Sequence, residues 1–280
     1  MHHIFNIMAS NYVPEGNWEF AKCLKTIVIF SMQEVASCSV LMSLQAGDLN
    51  SKIINSEIEI FHGHGFPNLA RYVKNANDTG TETLLIIGVR EPIQHGIALF
   101  WVRNTWKFHG FQNIMVDCDT YVGEVEDIEK MDVKQLTQTI IPKGFTRTCP
   151  LFLESLKHLQ LLGDYVEDVS ATFDRRRGWG LYRRTSNPNL HVAFYKQEMF
   201  GRFFDEFLHP CLGATEENRV TNQAVKKPLY DMRLKSTDLL KGRIPRDSLK
   251  SLYSMSCIRC FYSDEEIEEF MEKWALMARG

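Results

Sequence analysis

Three short apolar runs, each followed by a segment with helical spacing, constrain this chain more than any other feature. Lys25 to Met32 (KTIVIFSM) is β-branched and continuous, Glu57 to Phe61 (EIEIF) alternates, and Leu84 to Val89 (LLIIGV) is the most hydrophobic stretch. Between and after them, Ser39 to Gln45, Asn68 to Asn75 and Pro92 to about Trp106 read as helices, the last with proline in its favoured first turn. Strands alternating with helices imply βαβ units, a parallel sheet and helices on both of its faces. Ligands in such sheets sit beyond the carboxyl ends of the strands. The loops Gln33–Cys38, His62–Pro67 and Arg90–Gln94 are therefore where chemistry is expected.

The rest of the chain has a different pattern. Glu124 to Lys134 is rich in acids and reads as a solvated helix face, and Pro150 to Leu162 as an amphipathic helix. Trp179 to Arg184 and Leu190 to Lys196 flank Ser-Asn-Pro-Asn and read as two strands around a turn. Glu198 to Leu212 is an aromatic-rich helix. Ser263 and Glu266 form a capping-box pattern, with Ile267, Phe270, Met271, Trp274 and Ala278 following at helical spacing. With 280 residues and no internal repeat or low-complexity linker, the expectation is a single α/β domain over 1–280. Its core would span about 25–110, and a helical C-terminal elaboration about 145–280.

Composition removes several functions. A net charge of -3 argues against a nucleic-acid binder working by bulk electrostatics. No apolar run reaches the roughly 18 residues of a membrane span, and the Met-His-His-Ile-Phe start has no signal-peptide pattern, so a cytoplasmic protein is expected. Seven cysteines, an odd number in a chain too large to need staples, read as reduced thiols. Cys257 and Cys260 form the one C-x-x-C pair. No second pair completes a zinc site, so packed thiols are the plainer reading and no metal is expected.

The three loops carry the candidate site. A strand–loop–helix with small residues can wrap an anion in backbone N–H groups, and Ser37 and Ser39 around Cys38 could add hydroxyl donors. The plainer alternative is a helix capped by Ser37. Arg90, at the end of the third strand, has a guanidinium fork suited to phosphate, or else pairs with a carboxylate such as Glu91. His62 and His64, separated by glycine, could serve as a general base, as a metal pair, or as hydrogen-bonded histidines. Farther on, Arg175, Arg176 and Arg177 precede Gly178, and with Arg183 and Arg184 they make the densest positive cluster. Such a loop is either solvated or able to close over a polyanionic ligand.

Taken in order, IFSMQEVASCSVLMSL, IEIFHGHGF and LLIIGVREPIQHGIALFW resemble the sulfotransferase family, in its bacterial branch associated with capsular polysaccharide synthesis. That branch has a Lys-Val-Gly-Ser-type loop, a His-x-His after the next strand and an Arg-[Asp/Glu]-Pro helix. The segments VAFYKQEMFGRFFDEFLHPCLG and SLYSMSCIRCFYSDEEIEEFMEKW are similar to its later parts, so the resemblance runs from about Lys25 to Trp274. It implies a P-loop-like three-layer α/β fold with a central, mainly parallel sheet. The donor it implies is 3′-phosphoadenosine 5′-phosphosulfate, and the acceptor a hydroxyl of a glycan or small molecule. Ser37, Cys38 and Ser39 would hold the phosphosulfate, Arg90 the 3′-phosphate, and His64, or else His62, would be the base. Arg175, Arg176 and Arg177 are candidate supplementary cations. Four positions depart from the pattern: Glu34 stands for the loop lysine, Ala36 for its glycine, His95 for a second arginine and Ala98 for the helix serine. The alternative is a protein of this fold that has lost the donor and binds, scaffolds or catalyses something else.

Overall fold

The computed structural model describes residues 18–30, 37–63, 66–98, 163–184, 186–215, 234, 237, 238 and 240–276. The expected helices Glu124 to Lys134 and Pro150 to Leu162 lie outside them, as do Glu34, Ala36, His64 and Ala278.

Among the described residues, one five-stranded mixed sheet organises the fold. Its strands are β1 (Thr26–Phe30), β2 (Glu59–Gly63), β3 (Thr83–Val89), β4 (Trp179–Arg184) and β5 (Asn187–Lys196). The spatial order is β2-β1-β3-β5-β4. β1, β2, β3 and β5 run parallel, and β4 pairs antiparallel to β5 as the outer arm of a hairpin. The helices are α1 (Phe20–Cys23), α2 (Ser37–Ala46), α3 (Asn50–Ile54) and α4 (Phe66–Thr79), then α5 over residues 92–98 and α6 (Gly163–Thr172). α7 is a compound helix made of Gln197–Met199, Phe200–Phe203, Phe204–Leu208 and His209–Leu212. α8 (Arg246–Tyr253), α9 (Ser256–Phe261) and α10 (Asp264–Trp274) follow.

The period of two along each strand divides the core into two layers. Ile27 and Ile29 of β1, Leu84 and Ile86 of β3, and Ala193 and Tyr195 of β5 face one side, beneath Val40 and Leu44 of α2 and Phe203 and Phe207 of α7. Val28 and Phe30, Leu85 and Ile87, and Val192 and Phe194 face the other, under α4, α5, α6 and the C-terminal helices. β1 and β3 are buried on both faces, which is why they read as unbroken apolar runs. β2 is an edge strand and only half-buried, and its alternating sequence reflects that.

Several boundaries differ from the sequence expectation, and those of β2 and β5 have a physical reason in the sheet. β2 begins later and runs on to Gly63 because its ladder with β1 pairs Ile29 with His62 and Phe30 with Gly63. β5 starts at Asn187, inside the expected turn, because its ladder with β4 pairs Arg184 with Asn187 across a register irregularity between Arg183 and Arg184. The capping box forms as expected: Glu266 N–H donates to Ser263 Oγ at 3.2 Å, and Ser263 N–H to Glu266 Oε2 at 2.9 Å.

No described helix is long and apolar enough to cross a membrane.

Candidate functional site

The direction in which the chain leaves each strand sets the geometry of the carboxyl edge. From β1 it passes to α2 on one face, and from β3 to α5 on the opposite face, where Ile93 and Ile97 are buried. Adjacent parallel strands whose exits diverge leave a crevice between their carboxyl ends. In chain order, α2 follows β1 and Arg90 follows β3 at this edge.

Ser37 opens α2 and is buried, and its Oγ lies 3.0 Å from His62 Nε2 at the end of β2. Two of the expected site residues, 25 positions apart, are thus joined directly. Cys38 is exposed and Ser39 half-buried. The hydroxyl of Tyr195, on β5, is pushed far above its ordinary range, first by burial and then by proximity to Cys38. The start of α2 is thus tied to the carboxyl end of β2. Gly63 is constrained here as well: a Cβ would meet the Phe61 ring at 2.6 Å.

Arg90 follows Val89, whose register partner is Lys196 at the end of β5, and it is only 5% exposed. Its neighbour Glu91 is 1% exposed and caps α5: Oε1 accepts from Ile93 N–H at 2.9 Å and Oε2 from Gln94 N–H at 2.8 Å. Pro92 stands at the first helical position, where its missing N–H costs nothing. The Tyr253 hydroxyl also donates to Glu91 Oε1. Burial pushes the Glu91 carboxyl above its ordinary range, while the bonds from Tyr253, Gln94 and Ile93 pull it down. An acidic residue before a proline-started helix is a capping signal, and the sequence reading missed it.

A second set of contacts extends from Glu91. Its N–H donates to Glu198 Oε1 at 2.7 Å, and Glu198 Oε2 accepts from the Tyr262 hydroxyl at 3.1 Å. Lys196, 1% exposed, donates to Glu266 Oε1 and to the Arg175 carbonyl, each at 2.6 Å. Tyr253, Tyr262 and Glu266 sit far along the chain, and nothing local in the sequence marks them as partners of this edge.

The arginine loop is anchored from within. Arg175 donates through Nε and Nη2 to the Arg259 carbonyl at 3.1 and 2.7 Å. Arg177 pairs with Glu206 at 2.8 Å and stacks over the Trp179 ring at 3.8 Å. Asp174 Oδ1 accepts from both Arg176 N–H and Arg177 N–H, and Arg176 is exposed. Gly178 allows this turn with φ at +79°, where a Cβ would strike Met199 at 2.5 Å.

Comparison with protein-family models, with curated proteins and with solved structures gives no match.

The residues fit an anion unevenly. At the β1/β3 crevice, the first N–H groups of α2, the Ser37 and Ser39 hydroxyls and the Arg90 cation suit a phosphate or sulfate ester. Around α5 the fit is poorer. Its first amides are taken by Glu91, and His95 and Ala98 are both 1% exposed. Of the groups expected at a 3′-phosphate, Arg90 alone is a cation. Cys257 and Cys260 are buried free thiols in α9, with Cys260 Sγ donating to the Ser256 carbonyl at 3.2 Å. Among the described residues, no three His, Cys, Asp or Glu side chains gather as metal ligands would.

Proposed function

We propose that this chain is a sulfotransferase-like transferase with a P-loop-like core. It would take 3′-phosphoadenosine 5′-phosphosulfate at the β1/β3 crevice and pass the sulfuryl group to a hydroxyl of a carbohydrate or small metabolite. The observation that carries this reading is the pairing of Ser37 with His62 on the same edge as Arg90. Serine hydroxyls, a candidate base and an arginine suited to phosphate on one carboxyl edge support the reading.

The donor supplies an activated sulfur whose bond to a phosphate oxygen breaks as the acceptor oxygen bonds to it. In this reading His62, or His64, takes the acceptor's proton, and Arg90 neutralises charge on the nucleotide. The Ser37 hydroxyl orients the His62 ring through the 3.0 Å contact.

A second reading is favoured by the burial of His95 and Ala98 and by the internal anchoring of Arg175 and Arg177. In it the fold persists, the donor does not bind, and the same edge serves another ligand.

Titration calorimetry with 3′-phosphoadenosine 5′-phosphate at physiological salt decides between them. Micromolar binding, weakened by roughly 2–4 kcal/mol in Arg90→Ala, supports the first reading. No heat of binding, or an affinity indifferent to Arg90→Ala, overturns it. Binding that appears only in Glu34→Lys identifies a pocket closed by that one charge.

A further inference from the structure

One stretch of 14 residues, Tyr253 to Glu266, supplies three contacts to the carboxyl edge. Tyr253 donates to Glu91, Tyr262 to Glu198, and Glu266 accepts from Lys196. Two of the three converge on one residue, since Glu198 in turn holds the Glu91 N–H. Glu91 is thereby fixed through its carboxylate by Tyr253 and α5, and through its backbone by Glu198. Arg90 is the residue bonded to that N–H through a single peptide unit.

We propose that Tyr253 is a positioning residue for Arg90: its hydroxyl locks Glu91, and the locked Glu91 sets where the Arg90 backbone leaves β3 and α5 begins. A planar peptide bond with two soft dihedrals per residue transmits that constraint directly. Tyr253 therefore tunes ligand affinity at the crevice without touching the ligand. Leaving a buried carboxyl oxygen without its hydroxyl partner is costly, so removing the hydroxyl shifts its acceptor. The ligand arm of this inference rests on the function proposed above, whereas the positional arm stands without it.

Tyr253→Phe removes the hydroxyl and keeps the ring, which stacks 6.1 Å from Phe270. The matched control is Tyr165→Phe at the opposite end of the sheet, where the Tyr165 hydroxyl donates to the Leu190 carbonyl at 3.0 Å. The first readout is the Arg90 side-chain Nε–H resonance of the ligand-free protein, assigned by its loss in Arg90→Lys. It shifts in Tyr253→Phe and stays in place in Tyr165→Phe, although both variants lose stability. The second readout is the dissociation constant for 3′-phosphoadenosine 5′-phosphate, which rises roughly tenfold in Tyr253→Phe, about 1.4 kcal/mol, and is unchanged in Tyr165→Phe.

An Arg90 resonance unmoved by Tyr253→Phe overturns the inference, whatever the nucleotide does. Absence of nucleotide binding in the wild-type protein overturns the proposed function and leaves the resonance to decide this one. If Tyr253→Phe fails to fold, Tyr262→Phe reads the same lock through Glu198 and must shift the Arg90 resonance in the same direction. No shift there overturns the inference too.

Discussion

The two ends of the sheet both bury charge, and they do it differently. At the amino end, His191 Nε2 lies 2.6 Å from Glu82 Oε1, under the Phe20 ring stacked 4.0 Å away. The Tyr165 hydroxyl there donates to the Leu190 backbone carbonyl. The His191–Glu82 and Tyr165–Leu190 contacts are separate from each other, with no residue in common. At the carboxyl end two sets of contacts meet. Glu91 and Glu198 bond to each other and to Tyr253 and Tyr262. Lys196 bonds to Glu266 and the Arg175 carbonyl and lies 4.9 Å from the Tyr262 ring centroid. Separate contacts close off one edge of the core, whereas linked contacts from several elements fix positions at the other.

The largest effect expected is at Lys196. Its ammonium is buried and bonded on two sides, so Lys196→Met strands the Arg175 carbonyl and half of the Glu266 carboxylate. Losing one partner of a buried pair costs about 3–5 kcal/mol, and Glu266 retains enough water contact to put this near about 3 kcal/mol. Urea unfolding measures it, and a loss below about 1 kcal/mol would remove the network's claim to hold the edge. Glu91→Ala comes next. It uncaps α5 and leaves two amides and the Tyr253 hydroxyl without their acceptor, for a loss of about 2 kcal/mol in the same assay. Should His191→Phe at the amino end cost more than Glu91→Ala, the contrast between the two ends fails.

Much of the fold was legible in the sequence, and the reason is local. β1 and β3 announce themselves because burial on both faces demands uninterrupted apolar residues. The β4–β5 hairpin and the Ser263–Glu266 box rest on neighbouring residues, so their signals sit side by side in the chain. Of the candidate site, the placement of Ser37, His62 and Arg90 on the carboxyl edge was legible because strand ends can be counted. What was hidden depends on distance along the chain. Glu91 and Tyr253 are 162 residues apart, and no periodicity or spacing links them. The fate of the arginine cluster was hidden for the same reason. Its anchors, Glu206 and the Arg259 carbonyl, are supplied by α7 and α9.

The pH dependence of stability separates the two ends by sign. At the amino end, burial lowers the His191 pKa below its ordinary 6.5, and the Glu82 contact opposes that shift without cancelling it. The folded state therefore favours the neutral ring. Its contribution is complete above pH 6.5 and is lost as pH falls through the folded value. At the carboxyl end the Glu91 pKa is raised above its ordinary 4.5, so the folded state binds the extra proton. That contribution is present at low pH and declines as pH rises from 4.5 through the folded value. Urea midpoints measured across this range should lose their acid-side decline in His191→Phe and keep it in Glu91→Gln. The reverse pattern would exchange the roles of the two ends.

The smallest effect tests whether the C-terminal contacts need surface help. Arg246 Nη2 lies 2.8 Å from Glu268 Oε1 and ties α8 to α10, the helices that flank the network. Both side chains are about half exposed, so water and salt screen the pair and ordering two long side chains offsets most of the gain. Arg246→Ala should change stability by about 0.5 kcal/mol or less, with no movement of the Arg90 resonance. A larger loss accompanied by a shifted resonance would mean that the position of Tyr253 depends on how α8 is held at the surface. The network at the carboxyl end would then extend out to the solvent rather than end at the buried hydroxyl.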